Sequence, residues 1–186
     1  MAEGERVLQP LRAFGPPIAD LIQPMPYTAA QSLVDNAAPV GNRYYWKSNF
    51  ANGLERGFAE HLRDGATAMP SPLSLILLFE MKGQIRCVPK EAMAFDHRDA
   101  GFEMSIIANW TDAAHDTENI RWAREVWSGA RPWVMDAVYT NHMTADESEG
   151  RVRAGYGTEK YARLAALKRK YDPDNFFRLN HNIRPA

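Results

Sequence analysis

The chain has 186 residues, a formal charge of −1 and 24% charged side chains, which suits one compact domain with a real core and is too short for two developed ones. Near-neutral charge excludes a general polyanion binder, so no nucleic-acid partner is expected. The one cysteine, Cys87, rules out an internal disulfide, and Met1–Arg6 carries acids instead of a signal-peptide apolar run. With no run long enough to span a bilayer, a cytoplasmic protein with no membrane partner is expected.

The prolines at 10, 16, 17, 24 and 26 break any long helix, so residues 1–26 read as an extended connector. Thr28-Ala-Ala-Gln31 has capping-box form and opens a short helix through Val34. Arg43–Ser48 is aromatic and short, hence a strand. Leu54, Phe58 and Leu62 share one face of a helix running to about Arg63. Ser74–Phe79 reads as a strand, Gly83 punctuates it, and Gln84–Val88 reads as its hairpin partner, with Cys87 as a buried core thiol.

Phe102–Trp110 is a further strand. A long helix runs from Glu118 to about Ala130, capped by Asp116 or Thr117 and stopped by Pro132, with Ile120, Ala123 and Trp127 as a core stripe. Val138–Asn141 reads as a short strand. The last helix opens at Thr158, buries Tyr161, Leu164, Leu167 and Tyr171, and ends at Asp172-Pro173. Lysines and arginines from Lys160 to Arg178 read as a solvated face. Strands interleaved with helices give an α+β fold: an antiparallel sheet with helices packed on one face and an extended C-terminal tail over 174–186. The five histidines have no ligand spacing with one another, so no metal site is expected.

The end of the chain is its most specific part. Tyr156-Gly-Thr-Glu-Lys-Tyr-Ala-Arg-Leu164 leads through Lys170-Tyr-Asp-Pro-Asp-Asn-Phe-Phe177 into Arg178-Leu-Asn-His-Asn-Ile183. This resembles the C-terminal signature of the berberine-bridge-enzyme-like family, FAD-linked oxidases of the vanillyl-alcohol-oxidase superfamily. Arg43–Ser48 is similar to the family's aromatic strand, Ala94–Arg98 to its Phe-Pro-His-Arg segment with Asp96 in place of proline, and Tyr139-Thr140-Asn141 to its Tyr-x-Asn motif.

The resemblance implies that residues 1–186 form a single substrate-side domain, with the N-terminal FAD-binding domain absent. The implied function is the substrate-binding half of a FAD-dependent oxidoreductase acting on an alcohol, amine or related small molecule. It would need a FAD-binding domain or subunit as partner and would hold no FAD tightly alone. An apolar face left uncovered would recruit a second copy as a homo-oligomer. The alternative is a non-catalytic module binding a small molecule or a protein.

Within the resemblance, Tyr139 is the candidate catalytic base or its hydrogen-bonding partner, against a buried tyrosine satisfied by backbone. As a base it needs a nearby cation. Lys82 and Arg86, with Gln84 between them, are the substrate-binding candidates, since alternate residues of a strand share a face. Asn141, Asn180 and Asn182 are the candidates for the flavin's polar edge. His97 and Arg98 read as organisers of a strand-end loop. Lys82-Gly83 stands where the family carries a Gly-Gly pair, and a long cation there would crowd the pocket.

Overall fold

In the computed structural model, residues 2–15 and 17–186 are described; Met1 and Pro16, one of the expected breakers, lie outside them. The chain divides into two compact units, residues 1–39 and residues 40–186.

The first unit corrects the extended connector. Ala2–Ala13 is a helix, α1, with Pro10 inside it. One proline removes one backbone donor, and here Glu3–Arg6 and Glu5–Arg12 ion pairs tie the turns together along the surface. A second helix, α2, spans Tyr27–Gln31. The expected capping box is not formed: Pro26 precedes the first turn, and no side chain caps it.

The second unit is built on a three-stranded antiparallel sheet of β1 (Arg43–Ala51), β2 (Leu75–Glu80) and β3 (Phe102–Trp110), in the order β1-β3-β2. The register pairs Tyr45 with Ala108, Ser48 with Ser105 and Leu77 with Ser105. Directly opposed residues share a face. One face therefore carries Tyr45, Ile106, Ala108 and Trp110, and packs against α3 (Arg56–Thr67) and α5 (Asp116–Gly129) in the main core with Phe58, Leu62, Trp122 and Val126.

The second face carries Trp46, Ser48, Phe50, Glu103 and Ser105. Segments around residues 81–100 and 135–142 cover it, giving a smaller core of Phe50, Met81, Ala100 and Ala137. The helices on one face and the antiparallel sheet are as the sequence pattern requires.

Four expectations about elements fail. Gln84–Val88 is not a strand; Gln84–Cys87 forms one helical turn, α4, after Gly83 at φ 64°. Gly83 takes the left-handed region, which turns the chain out of the sheet, and Arg86 pins the turn to the carbonyls of Met81, Asp99 and Ala100. Cys87 consequently lies exposed, outside any core.

Val138–Asn141 is not a strand either. Backbone bonds Met135 N→Phe50 O and Phe50 N→Ala137 O run beside β1, and then the chain turns into a 3₁₀ turn over Thr140–His142. A helix unseen in the sequence, α6 (Glu149–Tyr156), starts where the Ser148 hydroxyl accepts from Arg151 N–H. In α7 (Thr158–Tyr171), Tyr161 is buried, but Leu167 and Tyr171 are exposed, at 44% and 74%.

Beyond α7 the tail folds back. The Asp172 carboxylate accepts from the N–H groups of Phe176 and Phe177, and Ala186 N–H donates to Ala165 O. Among the described residues, no helix is long and apolar enough to cross a membrane.

Candidate functional site

The 3₁₀ turn sets Tyr139 and His142 against the second face of the sheet. The Tyr139 ring meets Phe95 edge-on at 5.8 Å and His142 edge-on at 4.9 Å. Asn141 Nδ2 donates to the Tyr139 hydroxyl at 2.9 Å. Two of the predicted site residues are thus bonded to each other. The Tyr139 hydroxyl is held by a side chain and not by backbone, and accepting from Asn141 leaves its own O–H available as a donor.

Sequence reasoning missed what lies beneath. Glu103 is 3% exposed on β3. Its Oε1 accepts from the Ser48 hydroxyl and, at 2.9 Å, from Ser105 Oγ–H. His142 Nδ1 lies 3.0 Å from Glu103 Oε1 and 2.7 Å from Ser105 Oγ. A buried carboxylate needs such donors, because an unpaired one costs several kcal/mol.

With its hydrogen on Nδ1, the imidazole is fixed by Glu103 and presents Nε2 as an acceptor. Trp46 flanks the same imidazole at 5.0 Å. The alternation Glu103-Met-Ser105-Ile was the available signal, but a polar face on a strand reads as solvent-facing unless another segment covers it.

The substrate-binding trio is not brought together. Lys82 Nζ pairs with Glu80 at 2.9 Å on the surface. Arg86 donates to the carbonyls of Met81, Asp99 and Ala100, which holds α4 in place. Gln84 is exposed on that turn. The three do not share a strand face, because there is no strand.

The asparagine candidates, by contrast, converge. Asn141, Asn180 and Asn182 line one cleft of about 1210 Å³ with Asn175, Arg178 and Arg184. Asn180 holds φ 61°, a left-handed turn that bends the tail, and His181 Nε2 lies 3.3 Å from Met143 O. His97 Nε2 is 2.9 Å from Ala154 O, and Arg98 donates to Ile85 O, so both tie loops together.

Residues 138–184, which contain the turn, the cleft and the tail, match the family described as berberine and berberine like. The chain is 30% identical to a FAD-linked oxidoreductase of Dictyostelium discoideum over 98% of its own length and 40% of that protein. The chain carries a berberine-like domain, and the relatives it matches are named as FAD-linked oxidoreductases and berberine bridge enzyme-like proteins.

Berberine bridge enzyme-like 25 of Arabidopsis thaliana is 26% identical over 81% of this chain and 31% of its own. Among solved structures, 6-hydroxy-D-nicotine oxidase from Arthrobacter nicotinovorans aligns over all of this chain and 42% of its own, with 25% identity and a TM-score of 0.78. A berberine-bridge-enzyme-like protein of Arabidopsis thaliana, at 16% identity and TM-score 0.68 over 79% of this chain and 34% of its own, shares the fold. The chain spans about two-fifths of the length of the Dictyostelium relative and about a third of the Arabidopsis one.

Proposed function

We propose that this chain supplies the substrate side of a flavin-dependent oxidation of an alcohol, amine or related small molecule. The single observation carrying this reading is the Glu103–His142 pair beside the Tyr139–Asn141 pair. FAD, held with a separate flavin-binding domain or subunit, would supply the hydride acceptor.

The residues of the cleft fit a group with a polar edge. The side-chain oxygens of Asn175 and Asn182 are buried without a hydrogen-bond partner, and Arg178 and Arg184 line the same cleft together with Glu147 and Glu149. A buried amide oxygen left unpaired calls for a donor, and a ring N–H is one. Asn141, Asn175 and Asn182 would hold the flavin's polar edge.

The chain's own residues divide the remaining work. His142 Nε2 takes the proton from the substrate hydroxyl or amine, while Glu103 keeps the other nitrogen protonated and steadies the positive charge that develops. Tyr139 donates its O–H to the substrate heteroatom and is itself oriented by Asn141. The base is assigned to His142 and the partner's role to Tyr139, because Lys82 and Arg86, the cations a phenolate would need, are engaged elsewhere.

Stopped-flow reduction of the flavin in the enzyme reassembled from this chain and its flavin-binding partner tests the assignment. His142→Gln should slow reduction roughly 10²–10⁴-fold, the span of general acid–base groups. Tyr139→Phe should raise the substrate concentration needed for half-saturation. Normal reduction in His142→Gln would remove this histidine from the chemistry. A reassembled complex that never reduces its flavin would favour a binding module.

A further inference from the structure

The clustered charges lie on the opposite side of β1 from Tyr139. Lys47 is 5% exposed, and its Nζ reaches Asp146 Oδ1 at 3.2 Å and Glu147 Oε1 at 2.8 Å, over the rings of Tyr45 and Trp127. Asp146 Oδ2 accepts from the Tyr45 hydroxyl at 2.6 Å and from Arg124 at 2.9 Å. The Thr144 hydroxyl lies 2.5 Å from Asp146 Oδ1 and 3.4 Å from Trp46 O. Arg151 bonds Glu147 Oε2 at 3.2 Å and Ser48 O at 2.9 Å.

The register separates two faces of one strand. Tyr45 and Lys47 point to the helix side, whereas Trp46 and Ser48 point to the side of Glu103 and His142. The segment from His142 to Glu147 therefore crosses the edge of β1, with the imidazole on one side and the two carboxylates on the other. Three residues lie between His142 and Asp146, so the four Cα-to-Cα steps reach roughly 14 Å at full extension. Fixing Asp146 leaves the imidazole little slack.

We propose that the Lys47–Asp146–Glu147 cluster is the anchor that holds His142 on Glu103, with Asp146 as a positioning residue acting through the crossing segment. This rests on reading Glu103–His142 as the reactive pair, but the coupling itself is measurable in this chain without flavin. The Lys47–Glu147 pair is enclosed, whereas Asp146 lies at the rim, with 37% of its side chain exposed. Loss of Asp146 leaves the buried Lys47 ammonium with Glu147 alone.

The experiment is NMR of the His142 ring, whose signals are displaced by the ring currents of Trp46 and Tyr139. Asp146→Asn should lose most of that displacement and broaden the signals, while the amides of Ile106 and Ala108 remain protected and melting stays cooperative. Asp146→Glu, which keeps the charge, should restore part of it. A purely structural role would lower the melting temperature and leave the His142 signals of the folded protein where they were; that outcome overturns the proposal.

Should Asp146→Asn not fold, Thr144→Val removes a single donor and is read in the same way. Failure of both to fold makes the cluster a folding determinant and likewise overturns it. A null result for His142→Gln in flavin reduction leaves this measurement standing, so the two failures are distinct.

Discussion

Gly101 shows how closely the turn into β3 is packed. A Cβ there would lie 2.1 Å from the Asn52 carbonyl oxygen and 2.7 Å from its carbon. The obstacle is backbone, so no side chain can swing aside. Overpacking costs about 1–3 kcal/mol where neighbours yield, and Gly101→Ala should sit at or above the top of that span in urea denaturation of the chain. Gly101 N–H also bonds Ala51 O, and its carbonyl takes Met81 N–H, so a shift there would disturb two segments. At this scale the sequence was partly legible. Tyr139 and Asn141 came from a short motif and are bonded to each other. Glu103 did not, because its polar neighbours on β3 mimic a solvent face.

The segment that crosses β1 is an element in its own right, and it titrates. Burial pushes the Asp146 carboxyl up, but hydrogen bonds from Thr144, Tyr45, Arg124 and Lys47 outweigh it and hold the group well below the usual carboxylate range. For Lys47, burial opposes the charge, and the bond and field of Glu147, with help from Asp146, raise it on balance.

A depressed carboxyl stabilises the fold above its unfolded value of about 3.9 and loses that contribution as pH falls toward its folded value. The stability gap between the natural chain and Asp146→Asn should therefore be flat from pH 7 to about 4 and shrink below it. A gap that narrows already between pH 7 and 5, in thermal melts, would contradict the assignment. The elements themselves were legible where periodicity was strong, as in β1, β3 and α5. They were not legible at Gln84–Cys87, where a glycine's left-handed turn and the bonds of Arg86 decide the local structure, or at α6, whose eight residues carry little pattern.

For the whole molecule, relatives about two and a half times as long frame the reading. The cleft of asparagines and arginines lies within residues 40–186, and its unpartnered amide oxygens are the feature that a flavin-binding companion would complete. The berberine-like domain was legible in the tail because recognition there rests on a run of identities. Helix α1 was not, since prolines signal an end to regular structure but not how much helix precedes it.

The two borders of the sheet are unequal, and this limits how copies can associate. Along β1, Trp46 O, Ser48 O and both backbone groups of Phe50 are met by Thr144, Arg151, Ala137 and Met135. β2 pairs with β3 alone among the described residues, and its sequence Leu-Ile-Leu-Leu-Phe-Glu is apolar and free of proline. A body with one bare border can pair only once: two copies joined β2 to β2 about a two-fold axis consume both borders and stop. Light scattering across a wide concentration range should therefore plateau at the dimer mass, and Phe79→Lys, which puts a charge on that half-exposed border, should return the monomer. Growth beyond two copies would mean that the dressed border also opens, and that the chain polymerises instead of closing.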